Sequence, residues 1–82
     1  MWIKFNNDYL LNLDKVRWLK VGGGNFNNSK FCIFADLKVN EDESVTVFKS
    51  YDKAKVEKVF NRITHALLSN ETVYVVPNEE EV

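Results

Sequence analysis

The strands predicted in this chain carry large apolar side chains on both faces, and this is the strongest constraint on its fold. Ile3 and Phe5 alternate with Trp2 in a segment that has the two-residue period of a β-strand. In a later segment, the neighbours Ile33 and Phe34 point to opposite faces. A sheet with one face in water alternates between apolar and polar residues instead. The chain therefore has to cover both faces of its sheet, with its own residues or with another molecule.

A single helical pattern follows the strands. The apolar residues recur at the three- and four-residue spacing of one helix face, through to about Ser69: Val56, Val59, Phe60, Ile63, Ala66 and Leu67. Ser50 is the predicted N-cap, and Asp52 lies in the predicted first turn. Asn70 is predicted to stop the helix. One helix has one apolar stripe, so it can cover one face of the sheet.

The order of the elements predicts the fold class. We expect short strands at residues 1–5, 9–11, 16–21, 31–37 and 45–48, with turns at 6–8, 12–14 and 40–43 and a flexible connection at 22–29. The predicted fold is α+β, an antiparallel sheet of four to five short strands with one C-terminal amphipathic helix packed on one face. The β-branched and aromatic segment 73–76 adds an extra C-terminal strand to this prediction.

Length and cysteine content narrow the class of protein. Eighty-two residues form one domain, which we assign to residues 1–77, with an acidic tail at 78–82. A single cysteine excludes an intramolecular disulfide framework and a cysteine-based zinc site. The apolar runs are too short to span a bilayer, and the first residues lack the pattern of a signal peptide. We therefore expect a cytoplasmic protein without membrane association.

No pattern in the sequence points to catalysis. His65 is the sole histidine and has no ligand or catalytic partner at a suitable spacing. Cys32 lies in the middle of a predicted strand, which is typical of an inert, buried thiol. The glycine triplet at 22–24 lacks the lysine and the following helix of a phosphate-binding loop. We predict no enzymatic activity, no catalytic residue, no metal site and no cofactor.

The surplus of apolar side chains predicts a protein partner. Exposed apolar patches usually mark interfaces, and most soluble oligomers are two-fold dimers. We therefore expect an interaction or assembly module that forms a homodimer or binds another protein. The predicted interface residues are the large sheet aromatics and the C-terminal strand: Trp2, Trp18, Phe34, Val73, Tyr74, Val75 and Val76.

The alternative is a protein that binds single-stranded nucleic acid. Lys55, Lys58 and Arg62 recur on one flank of the predicted helix and form a candidate anion-binding site. Basic groups of this kind neutralise phosphates, while sheet aromatics stack on bases. The formal net charge of −1 argues against a polyanion-coating protein.

The chain also resembles a group of small proteins from low-GC bacteria and their phages, which consist of a β-meander followed by one helix. The resemblance covers about residues 1–69 and rests on Ile3-Lys4-Phe5, Tyr9, Asn12-Leu13-Asp14, Val16, Phe48, Ser50, Ala54 and Ile63. It implies this fold and a bacterial or phage origin, and it assigns no activity. In outline the order is also similar to the dimeric single-strand-binding Whirly fold, an analogy at the level of the fold.

Overall fold

Two small sheets and one helix make up the fold, in a computed structural model that describes residues 1–24, 29–37 and 44–82. The strands are β1 (Trp2–Phe5), β2 (Tyr9–Asn12), β3 (Val16–Gly23), β4 (Phe31–Leu37), β5 (Ser44–Ser50) and β6 (Val73–Val75), and the helix α1 spans Lys53–Leu68. Short 3-10 helices at Leu13–Lys15 and Glu79–Glu81 complete the described elements. The α+β class is confirmed, and the predicted C-terminal strand is present as β6.

The strands form two separate three-stranded sheets where the sequence predicts one. We call β2–β1–β6 the Trp2 sheet and β3–β4–β5 the meander sheet. The Trp2 sheet is mixed, because β1 is antiparallel to β2 and parallel to β6. The division falls at the predicted bend after β2, where Asp14 N donates to Asn12 Oδ1 at 3.0 Å. This side-chain-to-backbone bond favours a local turn, so that β3 begins a new sheet and does not extend the hairpin.

The first hairpin turn follows the sequence closely. Asn6 and Asn7 have φ values of 51° and 62° between β1 and β2. Asparagine adopts this left-handed backbone more readily than most residues. The predicted turn at 6–8 is therefore confirmed.

The meander sheet directs the alternate residues of β4 into the core. Ile33 and Ala35 are fully buried. In β5, Phe48 pairs with Ile33 and Thr46 pairs with the next residue of β4, so Val47 is the extra residue of a β-bulge. A bulge interrupts the alternation of side chains, and both Val47 and Phe48 are buried here.

The helix begins two residues later than predicted. Asp52 is the N-cap, and its side chain accepts a hydrogen bond from Ala54 N at 3.0 Å. The prediction of Ser50 as N-cap is wrong because β5 extends to Ser50 and buries it. Asn70, with a φ of 56°, ends the helix segment as expected.

The core lies between the helix and the inner faces of both sheets. Ile3 and Phe5 come from β1, the meander sheet adds residues from β4 and β5, and α1 adds Val56, Val59 and Ile63. The Trp2 sheet thus packs its inner face into the same core as the helix. The outer face of each sheet points away from this core.

The acidic C-terminal segment is folded back onto the domain, whereas the sequence suggests a solvated tail. Glu79 to Glu81 form a turn of 3-10 helix. Lys55 Nζ donates to the carbonyl oxygen of Glu79 at 3.2 Å, and Ser50 Oγ donates to Glu79 Oε1 at 2.9 Å. Val82 is partly buried against the core cluster.

The glycine triplet is more ordered than the predicted flexible connection. β3 continues to Gly23, and Gly24 N donates to Lys30 O at 3.2 Å. Gly23 has a φ of 84°, a left-handed conformation that glycine adopts without strain. Residues 25–28 of that connection and the predicted turn at 40–43 lie outside the described residues.

Candidate interaction surface

The outer face of the Trp2 sheet carries a compact set of exposed side chains. Ile3 and Phe5 point into the core, so the period of a strand directs Trp2 and Lys4 outwards. The pairing register places their cross-strand neighbours in two rows, which we call the Trp2 face: Asn12–Trp2–Val73 and Leu10–Lys4–Val75.

Four of these six side chains are large and apolar, and all four are exposed. The exposed fractions are 42% for Trp2, 63% for Leu10, 46% for Val73 and 61% for Val75. Among the described elements, β1 makes its main contacts with β2 and β6. A group of exposed apolar side chains of this kind on a small domain is typical of an interaction site.

The open edge of β6 borders the same face. On the inner side of β6, Trp2 N of β1 donates to Thr72 O at 2.9 Å, and Val76 N donates to Lys4 O of β1 at 2.8 Å. Consecutive strand residues direct their N–H and C=O groups to alternate sides, so those of Val73 and Val75 point away from β1. Within residues 1–24, 29–37 and 44–82, no strand pairs with that side of β6.

The structure separates the four predicted interface residues of the C-terminal strand. Val73 and Val75 lie on the Trp2 face. Tyr74 and Val76 are instead partly buried against the core cluster. The strand period explains the difference, since alternate residues point to opposite faces.

Burial also affects the chemistry of Tyr74. Loss of hydration raises the pKa of the Tyr74 hydroxyl above its ordinary value of 10.0. The Arg62 guanidinium hydrogen-bonds to this side chain and partly opposes the rise in pKa, while the carboxylate of Glu71 adds to it. Tyr74 is therefore a partly buried residue with a polar contact to α1.

The other two predicted interface aromatics belong to the meander sheet. Phe34 lies over Gly22, where a side-chain Cβ would come within 3.1 Å of the ring. Trp18 is 43% exposed, and Lys20 Nζ lies 5.0 Å from the centre of its ring. The structure does not bring Phe34 and Trp18 onto the Trp2 face.

Trp18 lies beside an apolar groove between β3 and the C-terminal half of α1. The groove has a volume of about 320 Å³. Its lining is mostly aliphatic and aromatic: Leu13, Val16, Trp18, Leu19, Phe60, Ile63, Thr64 and Leu67. The partial exposure of Leu67, a residue of the predicted apolar stripe, is explained by its position on this groove.

The predicted anion-binding flank of α1 is partly used inside the molecule. Lys55 Nζ is held by the carbonyl oxygen of Glu79, and Arg62 contacts Tyr74. Lys58 is exposed. Lys55 thus contacts the acidic C-terminal segment, and Arg62 contacts β6.

Three residues of the Trp2 face were not predicted from the sequence. Lys4, Leu10 and Asn12 join it through the register of the first hairpin. The signal was present, because a hairpin with a turn at 6–8 places Leu10 opposite Lys4. The contribution of β6 depends on its parallel pairing with β1, for which the sequence carries no local signal.

The described residues contain no cluster of three or more His, Cys, Asp or Glu side chains able to hold a metal ion. Cys32 is partly buried, with its Sγ 3.6 Å from Lys30 O. His65 is an exposed residue of the last turns of α1. No helix in the described part of the chain is both long enough and apolar enough to cross a membrane.

Comparison with known proteins gives no relative: no family model, no curated protein and no solved structure matches the chain.

Proposed function

We propose that this chain is a non-enzymatic interaction module that acts as a homodimer and uses the Trp2 sheet as its contact. The observation that carries the proposal is the open edge of β6, flanked on its outer face by the exposed side chains of Val73 and Val75. Complete burial of a fully exposed side chain of this size contributes roughly 1.5–3 kcal/mol, and each valine, being about half exposed, gains about half of that. This gain is large for a domain of 82 residues, whose own core is small.

A second copy of the chain is the proposed partner because the surface is self-complementary. Apolar side chains lie on the face, and the edge presents donors and acceptors from the same strand. A two-fold axis brings identical surfaces together, so the outward N–H groups of β6 in one copy can meet the outward C=O groups of β6 in the other. The three residues of β6 carry no charge that would oppose this contact.

The test is the mass of the protein in solution as a function of concentration. Sedimentation equilibrium should give about twice the 9.6 kDa of one chain at high concentration. Val75→Lys places a charge on the Trp2 sheet and should shift the equilibrium to the monomer. The matched control is Leu68→Lys, which changes another exposed apolar residue on the helix and should leave the mass unchanged.

A mass of one chain at every concentration would reject self-association. A dimer weakened equally by Val75→Lys and Leu68→Lys would reject the Trp2 sheet as its contact. The nucleic-acid alternative has less support, since Lys55 contacts Glu79 and Arg62 contacts Tyr74 within the molecule. Tight oligonucleotide binding that weakens with salt would favour that alternative instead.

A further inference from the structure

We infer that two copies pair through their β6 edges in antiparallel orientation, with Tyr74 of one copy opposite Tyr74 of the other. The inference rests on the proposed function and specifies its contact. The result is one continuous six-stranded sheet in the order β2–β1–β6–β6–β1–β2.

The directions of the backbone groups select this register. The N–H and C=O groups of Val73 and Val75 point away from β1, as the bonds of Thr72 and Val76 to β1 require. With Tyr74 on the two-fold axis, Val73 of each copy lies opposite Val75 of the other. Each of these two pairs exchanges two hydrogen bonds, which satisfies all four outward groups of each strand.

The neighbouring registers satisfy fewer groups. A shift that places Val73 opposite Val73 also places Val75 opposite Glu71, whose N–H already donates to Ala66 O at 3.1 Å. A shift that places Val75 opposite Val75 brings Val73 opposite Pro77, which has no N–H to donate. The chain on either side of β6 therefore limits the pairing to one register.

Lys4 favours edge pairing over packing of the two Trp2 faces against each other. Its side chain lies in the middle of a row, between Leu10 and Val75, and the face contains no carboxylate. Face-to-face packing would bury this ammonium without a counter-charge, which is costly. In the edge-paired dimer the two β1 strands are three inter-strand spacings apart, or about 14 Å, and both ammonium groups remain in water.

Edge pairing also buries apolar surface. Residues opposite each other in a sheet have side chains on the same face, so Val73 packs against Val75 of the second copy on the outer side. Both valines are exposed in the single chain. The two Trp2 side chains then lie on one extended outer surface, each beside its own Val73.

A disulfide across the axis tests the register. Tyr74→Cys, combined with Cys32→Ala to remove the native thiol, places two cysteines in a pair without mutual hydrogen bonds, about 4.5 Å apart between Cα atoms. This distance lies within the range of disulfides. Oxidation should give a covalent dimer in high yield. The matched control, Leu10→Cys with Cys32→Ala, places the thiol on β2 and should remain monomeric under denaturing conditions.

Removal of one edge donor is the second test. Val75→Pro deletes an N–H that points away from β1, so the pairing of β1 with β6 retains its bonds, and the variant should sediment as a monomer. Val75→Thr keeps the donor and should remain a dimer. The melting temperature of each variant at low concentration reports whether the domain itself has folded.

The outcomes separate this inference from the proposed function. A wild-type protein that is monomeric at every concentration would reject both. A wild-type dimer that persists in Val75→Pro, or that cross-links through Leu10→Cys and not through Tyr74→Cys, would overturn edge pairing and leave self-association standing. A Tyr74→Cys disulfide together with a monomeric Val75→Pro supports the inferred register.

Discussion

The hydroxyl of Ser50 donates to Glu79 Oε1 across 2.9 Å, although 29 positions separate the two residues in the chain. The same hydroxyl accepts a hydrogen bond from Asp52 N at 3.0 Å. Ser50 is fully buried at the end of β5. One side chain thus joins the end of the meander sheet, the start of the helix and the C-terminal segment.

Removal of this hydroxyl should destabilise the domain. Ser50→Ala leaves the N–H of Asp52 and the carboxylate of Glu79 without their partner, and we expect a loss of about 1–3 kcal/mol in the free energy of unfolding. Urea unfolding measures this loss. Ser44→Ala, at the exposed start of the same strand, is the control and should change the free energy by about 0.5 kcal/mol or less. Equal losses for the two variants would contradict the role of Ser50.

The Arg17–Asp36 ion pair should contribute more than the exposed pair on the helix. Arg17 Nε donates to Asp36 Oδ2 at 2.8 Å, and only 7% of the Asp36 side chain is exposed. Arg17→Ala leaves this carboxylate unpaired, and we expect the free energy of unfolding to fall by about 2 kcal/mol. The loss is smaller than for a fully buried ion pair because the Arg17 side chain itself reaches solvent. Lys53→Ala removes the 3.8 Å pair with Glu57 and should cost about 0.5 kcal/mol or less.

These two variants are compared by chemical denaturation at low and high salt. The free-energy difference between wild type and Arg17→Ala should persist at high salt, because the Asp36 carboxylate is shielded from solvent. An Arg17→Ala variant as stable as Lys53→Ala would show that the buried pair adds nothing to stability.

Stability should fall in alkaline solution because of Tyr74. Burial raises the pKa of its hydroxyl above 10.0, so the folded state holds the proton more tightly than the unfolded state does. The stabilisation is fully present below the unfolded-state pKa and is lost as the pH rises through the folded-state pKa. Urea unfolding from neutral pH to about pH 11 should show this decline, at a concentration where the protein is monomeric.

Tyr74→Phe is the matched control for the alkaline decline. It keeps the ring and removes the ionisable hydroxyl, so its stability should fall less steeply with pH than that of the wild type. Identical pH profiles for the two proteins would exclude Tyr74 as the source.

Gly23 should be less tolerant of a side chain than Gly22. A Cβ at Gly23 would lie 2.5 Å from Lys30 O, and its φ of 84° is strained for other residues. We expect Gly23→Ala to lower the free energy of unfolding by about 1–3 kcal/mol. Gly22→Ala meets only the Phe34 ring edge, at 3.1 Å, and should cost less. Thermal unfolding compares the two variants. A Gly22→Ala variant less stable than Gly23→Ala would contradict the stricter requirement for glycine at position 23.

Local features of this fold can be predicted from the sequence. The left-handed turn at Asn6 and Asn7, the apolar stripe of α1 and the stop at Asn70 each depend on residues close together in the chain. The sequence leaves the position of the N-cap ambiguous, because Ser50 and Asp52 are both good capping residues. The choice between them depends on how far β5 extends, which is set by its pairing with β4.

The division into two sheets depends on contacts between distant segments. Period-two patterns show which residues share a face of a strand, but they do not show which strands pair. The parallel pairing of β1 with β6 decides that Val73 and Val75 join Trp2 on one surface. The alternation within β6 is a local signal, and it separates Tyr74 from Val73 and Val75.

The central position of β1 also sets an order for folding during synthesis. β2 follows β1 directly in the chain, but the other neighbour of β1 is β6, which the ribosome makes only after the meander sheet and the helix. A two-stranded hairpin is marginal on its own in water. The Trp2 sheet of the nascent domain therefore lacks its third strand until residues 73–75 leave the exit tunnel, and β6 then completes it.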